Sequence, residues 1–296
     1  MTTFGQLVDE VLIALSGYTQ RQDQATSLTA NMTASDLTFT VAAGSSVSRG
    51  MIEIDEELIW VDSFNPTTGI VTVAPYGRGY RGTTAASHTA GTRVTIAPTF
   101  PRYNIKQYIN QAIDGVYPDL FAIKNTQFNF VAVRTTYQMP QDLIDAQQVT
   151  WRTIGPSLEW LPVRHYRVDN MAATSAWPTG KTISIYDAIV PGRPVNVTYT
   201  CKPSMLEYDS DDFSDTGLPS SAKEVIIFGA AWRAVSFLDL GRIPAQSAEA
   251  DAIQSNDPVG SGQNASRLLF QMYQQRLQIE QRKQQEIFPV RVRITR

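Results

Sequence analysis

The sequence predicts an α+β protein: an antiparallel bundle of about four helices with two inserted antiparallel β-modules and an extended C-terminal tail. Three observations predict this class. Four segments carry apolar residues at helical spacing, two long stretches between them alternate with a period of two, and the last residues alternate aliphatic side chains with arginine. Because helices separated by long insertions can still pack together, we expect a bundle core from residues 1–24, 99–126 and 218–287.

The first helix is predicted close to the N-terminus. Its apolar stripe consists of Phe4, Leu7, Val8, Val11, Leu12 and Leu15. Asp9, Glu10 and the lack of a basic start argue against a signal peptide. No apolar run approaches the ~20 residues of a membrane span. We expect a protein made in a cytoplasm, with no membrane partner.

Residues 25–98 predict a compact antiparallel β-module, either a small barrel or a sandwich. Short runs rich in β-branched and aromatic residues include DLTFTVA, GIVTVAPY and TRVTIAP. The segments NPTTG and AGT between such runs are turn material.

The remaining elements follow the same two periods. Pro101 suits the first turn of a second helix, and Pro118 ends or kinks it. Residues 127–217 predict a second β-rich module, and a largely apolar third helix follows, which we expect to be buried on more than one side. The fourth helix has few apolar anchors, and residues 288–296 predict an extended basic tail.

Composition excludes several classes of function. The net charge of -3 argues against a surface that grips nucleic acid throughout. Cys201 is the single cysteine, so no disulfide framework or Cys-rich metal cluster is possible within the chain, and we expect a buried, inert thiol. His88 and His165 have no second His or Cys at metal-ligand spacing. No metal and no cofactor are predicted.

The glycine-rich segment GRGYRG is a candidate phosphate cradle. Gly77, Gly79 and Gly82 have the spacing G-x-G-x-x-G, which indicates dinucleotide binding only where a strand turns into a helix. Here another strand-like run, TRVTI, follows. The glycines are therefore interpreted as turn positions that permit positive φ.

We instead predict a structural loop in the first β-module. Its arginines and histidine are expected to pin the chain by hydrogen bonds to carbonyls or carboxylates such as Glu57. The predicted members of this loop are Glu57, Arg78, Arg81, His88 and Gly91.

Two further sets of residues are candidates for chemistry. The acidic loop at residues 209–215 lacks EF-hand spacing, which leaves a solvated loop or a weak calcium site. A paired-carboxylate glycosidase needs a sugar-binding cleft, and five tryptophans in this length are mostly core or interface residues. No active site is predicted, and we expect a protein that is not an enzyme.

Three segments resemble the head–tail connector (adaptor) proteins of tailed phages. TFGQLVDEVLIALSGYT resembles the first adaptor helix, and VIIFGAAWRAVSFLDLGRIP resembles the buried helix of the adaptor bundle. The segment from MIEIDEELIWVD to GRGYRGTTAASHTAGTRV is similar to a β-module of phage structural proteins. The residues that match its recurring pattern are Glu57, Ile59, Arg81–Gly82 or Arg78–Gly79, Gly82–Thr83, Ala85, His88, Gly91 and Val94.

This resemblance implies a structural virion protein of the neck. Related proteins form dodecameric rings between portal and tail, with the genome passing through the channel. The implied partners are other copies of the chain, the portal protein, a tail-side neck or tail protein, and double-stranded DNA in transit only. Another tail or baseplate structural protein remains an alternative, as does a carbohydrate-binding phage protein.

The same resemblance directs attention to the end of the chain as a surface for the portal or a neighbouring copy. The tail could pair with a neighbour as an added strand or reach the portal. The candidate interface residues are Arg276, Arg282 and Lys283 in the last helix, and Phe288, Val290, Arg291, Val292, Arg293, Ile294 and Arg296 in the tail.

Overall fold

The computed structural model describes residues 2–18, 23–153, 158–236 and 261–288. Four α-helices lie within these ranges: α1 (Phe4–Leu15), α2 (Arg102–Gly115), α3 (Lys223–Ser236) and α4 (Ser261–Ile287). Short 3-10 turns lie at Ser16–Tyr18, Tyr80–Gly82, Phe213–Thr216 and Ser220–Ala222.

Thirteen strands make up the rest of the regular structure. The first six are β1 (Gln24–Ser27), β2 (Thr38–Thr40), β3 (Gly50–Ile54), β4 (Glu57–Asn65), β5 (Ile70–Val73) and β6 (Arg93–Ile96). The other seven are β7 (Ala122–Asn129), β8 (Thr136–Gln138), β9 (Asp145–Arg152), β10 (Trp160–Pro162), β11 (Tyr166–Asp169), β12 (Thr182–Ile185) and β13 (Pro194–Cys201).

The predicted helical bundle with inserted β-modules is wrong. The described chain is mostly β, with three antiparallel sheets and only four α-helices. Two of its hydrophobic cores are built from sheet residues. The error has a physical cause: an apolar stripe shows that a helix buries one face, but it does not show which element covers that face.

The first sheet contains six strands in the order β1-β6-β3-β4-β5-β2. Its two outer strands are also joined, because an isolated bridge links Leu28 to Val41. The Thr29 amide donates to the Thr40 carbonyl oxygen at 3.0 Å, and the Ala42 amide donates to that of Ser27 at 3.2 Å. The sheet therefore closes on itself as a small barrel.

The barrel interior follows from alternation along each strand. Inward side chains from every second position form one core, whose fully buried members include Ile52, Ile54, Ile59, Val61 and Val94. β-branched residues suit this pleated, buried surface.

The other two sheets share a single core. Their orders are β10-β9-β13-β7 and β11-β12-β8. Residues from both sheets, such as Val149, Val195 and Val197 from the first and Tyr137 and Ile183 from the second, belong to the same buried cluster. In the four-stranded sheet, β7 forms one outer edge and pairs with β13 alone among the described strands.

The chain divides into two compact units. One contains Met1–Gly5, Ala112–Ile226 and Met272–Arg296, and the other contains Gln6–Gln111 and Ile227–Gln271. The barrel lies in the second of these, and the two smaller sheets lie in the first.

Candidate functional site

Glu57 is the centre of a buried charge cluster in the barrel. It is the first residue of β4 and pairs with Ile54 across a two-residue hairpin turn, in which Asp55 adopts a positive φ of 54°. The turn residues Asp55 and Glu56 are exposed, as expected at a hairpin tip, but the Glu57 side chain is only 1% exposed. The hairpin therefore points one carboxylate into the protein.

Arg78 binds this carboxylate in a bidentate ion pair. Its Nε donates to Glu57 Oε1 at 2.7 Å, and its Nη2 donates to Glu57 Oε2 at 2.9 Å. The remaining donors bind the carbonyl oxygens of Thr33 and Asp36 at 2.8 Å and of Ala86 at 2.7 Å. All five N–H groups of the guanidinium are thus used, and it ties together three separate stretches of loop.

His88 lies between two carboxylates. Its Nδ1 is 2.7 Å from Asp55 Oδ2, and its Nε2 is 2.9 Å from Glu57 Oε2. Its backbone forms a two-bond bridge with Met32, with both N–H to O distances at 2.8 Å. The His88 ring therefore links the hairpin turn to the buried carboxylate of β4.

The electrostatics of Glu57 follow from its neighbours. Burial by itself raises the pKa of Glu57, but hydrogen bonds from Arg78 and His88, together with the amides of Ala86 and Gly79, hold that pKa below its usual range. The two amides donate to Glu57 at 3.1 and 3.0 Å. The polar atoms of the cluster form hydrogen bonds with one another, which is typical of a cluster with a structural role.

The structure does not bring every predicted loop residue to this cluster. Arg81 is exposed, has a positive φ of 56° and places its guanidinium 5.6 Å from the centre of the Tyr80 ring. Gly91 occupies a turn at φ 88° and donates its N–H to the Leu28 carbonyl oxygen. Glu57, Arg78 and His88 form the cluster, while Arg81 and Gly91 shape the loop elsewhere.

The loop has a further member, Thr83, to which the sequence assigned no role. The hydroxyl of Thr83 accepts the Leu58 amide at 3.1 Å and donates to the Tyr80 carbonyl oxygen at 2.9 Å. A threonine in a Gly- and Thr-rich segment gives no signal that separates such a role from an ordinary turn residue.

A second buried carboxylate of the barrel, Glu53 in β3, was also missed. It accepts the backbone N–H of Arg102, the first residue of α2, at 2.6 Å. Burial raises the pKa of Glu53 to about 7, although the bond from Arg102 acts in the opposite direction. Its position beside Ile52 and Ile54 in the strand gives the only sequence signal, because alternation places it on the opposite face from both.

The cationic candidates on α4 are placed on the surface. Arg276 Nη2 is 2.6 Å from Glu224 Oε2, and Lys283 Nζ is 2.6 Å from Glu280 Oε1. Arg282 is exposed, and Phe288 is half-buried and donates its N–H to the Gln284 carbonyl oxygen. The other tail candidates, Val290, Arg291, Val292, Arg293, Ile294 and Arg296, lie outside the described residues.

Carboxylates of the acidic loop are engaged by its own backbone. Asp212 and Asp215 form a reciprocal capping box around the 3-10 turn Phe213–Thr216. Asp211 accepts the amides of Glu207 and Tyr208, both at 2.8 Å. In the described part of the chain, no group of three or more His, Cys, Asp or Glu residues is arranged to hold a metal ion.

Cys201 and His165 take up different environments. The Cys201 thiol is buried, and burial raises its pKa. His165 is exposed and its Nδ1 lies 2.6 Å from Asp187 Oδ1. Among the described helices, none is both long and apolar enough to cross a membrane.

Comparison with known proteins points to one family. A family model described as SU10 adaptor protein matches residues 83–293, which is more than half of the chain. The matched range includes His88, the two smaller sheets and the whole of α4. A comparison with the curated proteins finds no match.

Proposed function

The chain belongs to the SU10 adaptor protein family, a family of phage head–tail adaptors, and on this premise we propose that it forms a ring that joins the portal of the capsid to the tail. Membership confirms the predicted resemblance and makes the chain a structural protein of a phage. The match over residues 83–293 is the observation that carries the proposal.

Ring formation is supported by an exposed apolar stripe on α4. Leu268, Met272 and Ile279 are 52%, 36% and 43% exposed. Their spacing places all three on one side of a helix, away from the buried side formed by Leu269, Tyr273 and Leu277. A cyclic ring is built from heterologous contacts that close on themselves. Such contacts would cover the stripe, which a lone subunit leaves in water.

We assign portal docking to the basic end of the chain. Arg282 and Lys283 are exposed on the last turns of α4, and the arginines of residues 291–296 follow in sequence. Rim charges of this kind mainly affect association rate and specificity. The ring would sit at the virion neck, act mechanically rather than by catalysis, and let double-stranded DNA pass during packaging and ejection.

The test is assembly of the purified full-length chain with its portal, followed by mass photometry and negative-stain imaging. We expect a ring, dodecameric if it follows the family, on the tail-side end of the portal. The double variant R282E/K283E should weaken docking by about tenfold or more. Arg49→Glu is the matched control, because Arg49 is an exposed arginine of the barrel, and it should dock normally.

Other outcomes would overturn the proposal. Binding only to tail proteins would favour a tail or baseplate role. Binding or cleavage of host polysaccharide would favour the carbohydrate-binding alternative.

A further inference from the structure

Tyr76 occupies a strained position in a tight turn of the barrel. The Gly77 amide donates to the Ala74 carbonyl oxygen at 2.7 Å, which closes a turn around Pro75 and Tyr76. Tyr76 adopts a φ of 61° there, in the left-handed region that favours glycine or asparagine at this position of a turn. Backbone strain of this kind is concentrated at functional sites.

The side chain of Tyr76 projects from this turn into solvent. It is 98% exposed, so packing within the subunit does not offset the strain. The turn itself is held firmly, because the Trp60 N–H donates to the Gly77 carbonyl oxygen at 2.8 Å and the Ala74 N–H donates to that of Trp60 at 3.0 Å. Tyrosine is a common anchor of protein interfaces, and one on a rigid turn loses little freedom when it binds.

A cavity of suitable size lies in the compact unit that contains the two smaller sheets. Its volume is about 310 Å³. That is near the lower end of the roughly 300–1,000 Å³ of ligand pockets, and it suits a single aromatic side chain. Phe213 and Leu218 of its lining are buried, whereas Ser214 and Ser220 are exposed. The cavity therefore offers apolar surface inside and polar groups at its mouth.

Asp212 supplies an acceptor for a phenol hydroxyl. Its side chain lines the cavity, and its Oδ1 accepts the Ser214 amide at 2.8 Å. Hydrogen bonds from Ser214 hold the pKa of Asp212 below its usual range, so the carboxylate is ionised at neutral pH. A carboxylate has about four acceptor sites, which leaves capacity for an O–H donor. Tyrosine combines such a donor with an apolar ring.

We propose that Tyr76 of one copy inserts into this cavity of the next copy in the ring, with its aromatic side chain against Phe213 and Leu218 and its hydroxyl bonded to Asp212. The inference rests on the proposed ring, to which it adds a specific contact. Tyr76 and the cavity are different surfaces of the chain, so the contact is heterologous. A rotation that places each copy on the next repeats such a contact until the ring closes.

Photocrosslinking in the assembled ring tests the contact directly. Tyr76 is replaced by p-azidophenylalanine, which keeps an aromatic side chain on the turn, and the full-length chain is assembled with its portal before illumination. In an equal mixture of isotope-labelled and unlabelled chains, we expect crosslinks from position 76 of one copy to residues 212–223 of another. The same replacement at Tyr186, a 64% exposed tyrosine outside the cavity lining, is the matched control and should give no crosslink to these residues.

Tyr76→Gly removes the side chain and the strain together. Because glycine tolerates a φ of 61°, the midpoint of thermal denaturation should stay the same or rise. Ring assembly on the portal, measured by mass photometry over a concentration series, should weaken at least about tenfold, as expected for the loss of an interface anchor. Tyr186→Ala should assemble as wild type does.

The outcomes separate this inference from the proposed function. A ring that forms without crosslinks from position 76 to residues 212–223 would overturn the Tyr76 contact and leave the proposed ring intact, as would equal assembly of Tyr76→Gly and wild type. Crosslinks from position 76 to the portal instead would also overturn the contact. If the wild-type chain forms no ring on the portal, the proposed function fails and this contact fails with it.

Discussion

The strands of the barrel and of the four-stranded sheet have the same sequence period of two, but the two structures differ in how their edge strands are paired. The barrel joins its outer strands through the Leu28–Val41 bridge, whereas in the sheet β7 pairs with β13 alone among the described strands. The barrel also buries a complete charge cluster around Glu57, while the sheet keeps its comparable pair, Asp142 and Lys124, half-exposed. A closed, internally bonded unit suits a rigid scaffold, and an open edge suits a place where another segment can attach.

The largest effect is expected when the central carboxylate of the barrel is removed. Glu57→Gln leaves Arg78 buried without its counter-charge, so the free energy of unfolding should fall by about 3–5 kcal/mol. Chemical denaturation, with hydrogen exchange of β3 and β4 as a local probe, measures the loss. Asp62→Asn in the same barrel is the control, because the Asp62–Arg49 pair is exposed and should cost at most about 1 kcal/mol.

Gly77 and Gly91 lie in the same loop but are required for different reasons, close packing at Gly77 and backbone conformation at Gly91. A Cβ at Gly77 would lie 2.6 Å from the Trp60 carbonyl oxygen, so Gly77→Ala should destabilise the barrel by roughly 2–3 kcal/mol. A Cβ at Gly91 meets nothing within 4 Å, and Gly91→Ala should cost only about 1 kcal/mol, from its φ of 88°. Equal losses in thermal denaturation would refute this division of roles.

Glu53 gives the barrel an unfavourable pH dependence. Its folded-state pKa of about 7 lies above the ordinary value of 4.5, so the unfolded chain releases this proton first. Stability should therefore fall as the pH rises from about 4.5 to about 7. Glu53→Gln removes this pH dependence. The free energy of unfolding of the variant minus that of wild type should therefore be roughly 2 kcal/mol more positive at pH 8 than at pH 4.5. Unfolding curves at both pH values decide the matter, and parallel profiles would count against it.

Glu57 should act in the opposite direction and in a lower pH range. Its pKa is lowered in the folded chain, so the stability it provides is complete above the ordinary carboxyl range. That stability is lost as the pH falls through the lowered value. In Glu57→Gln this acid-side loss should be smaller than in wild type.

The smallest effect is expected in the open sheet. Asp142 Oδ2 is 2.9 Å from Lys124 Nζ, and both side chains are more than a third exposed. Asp142→Asn should therefore change the free energy of unfolding by at most about 1 kcal/mol. A loss as large as that of Glu57→Gln would erase the contrast between the two regions.

Local chemistry was the part of the molecule that the sequence could predict. The segment with Arg78 and His88 lies among glycines that permit sharp turns, and a carboxylate partner for it follows from charge alone. The second helix was expected to include Pro101 in its first turn, and α2 begins one residue later, at Arg102. These features depend on residues close together in sequence or on strong pairwise chemistry.

Long-range pairing was the part that could not be predicted. Closure of the barrel depends on backbone bonds between residues 27–29 and 40–42, and any residue type can make them. Gln284 is one of many glutamines in α4, and only its placement beside Phe121 distinguishes it. The predicted bundle failed for the same reason, because periodicity records burial and not the identity of the covering element.

A symmetric reconstruction of the intact phage particle would show where this chain lies. We expect copies of it, each recognisable by its closed six-stranded barrel, arranged in a ring between the portal and the tail. Finding the chain only at the far end of the tail, or finding no ring of it at the junction, would rule out the proposed role at the neck.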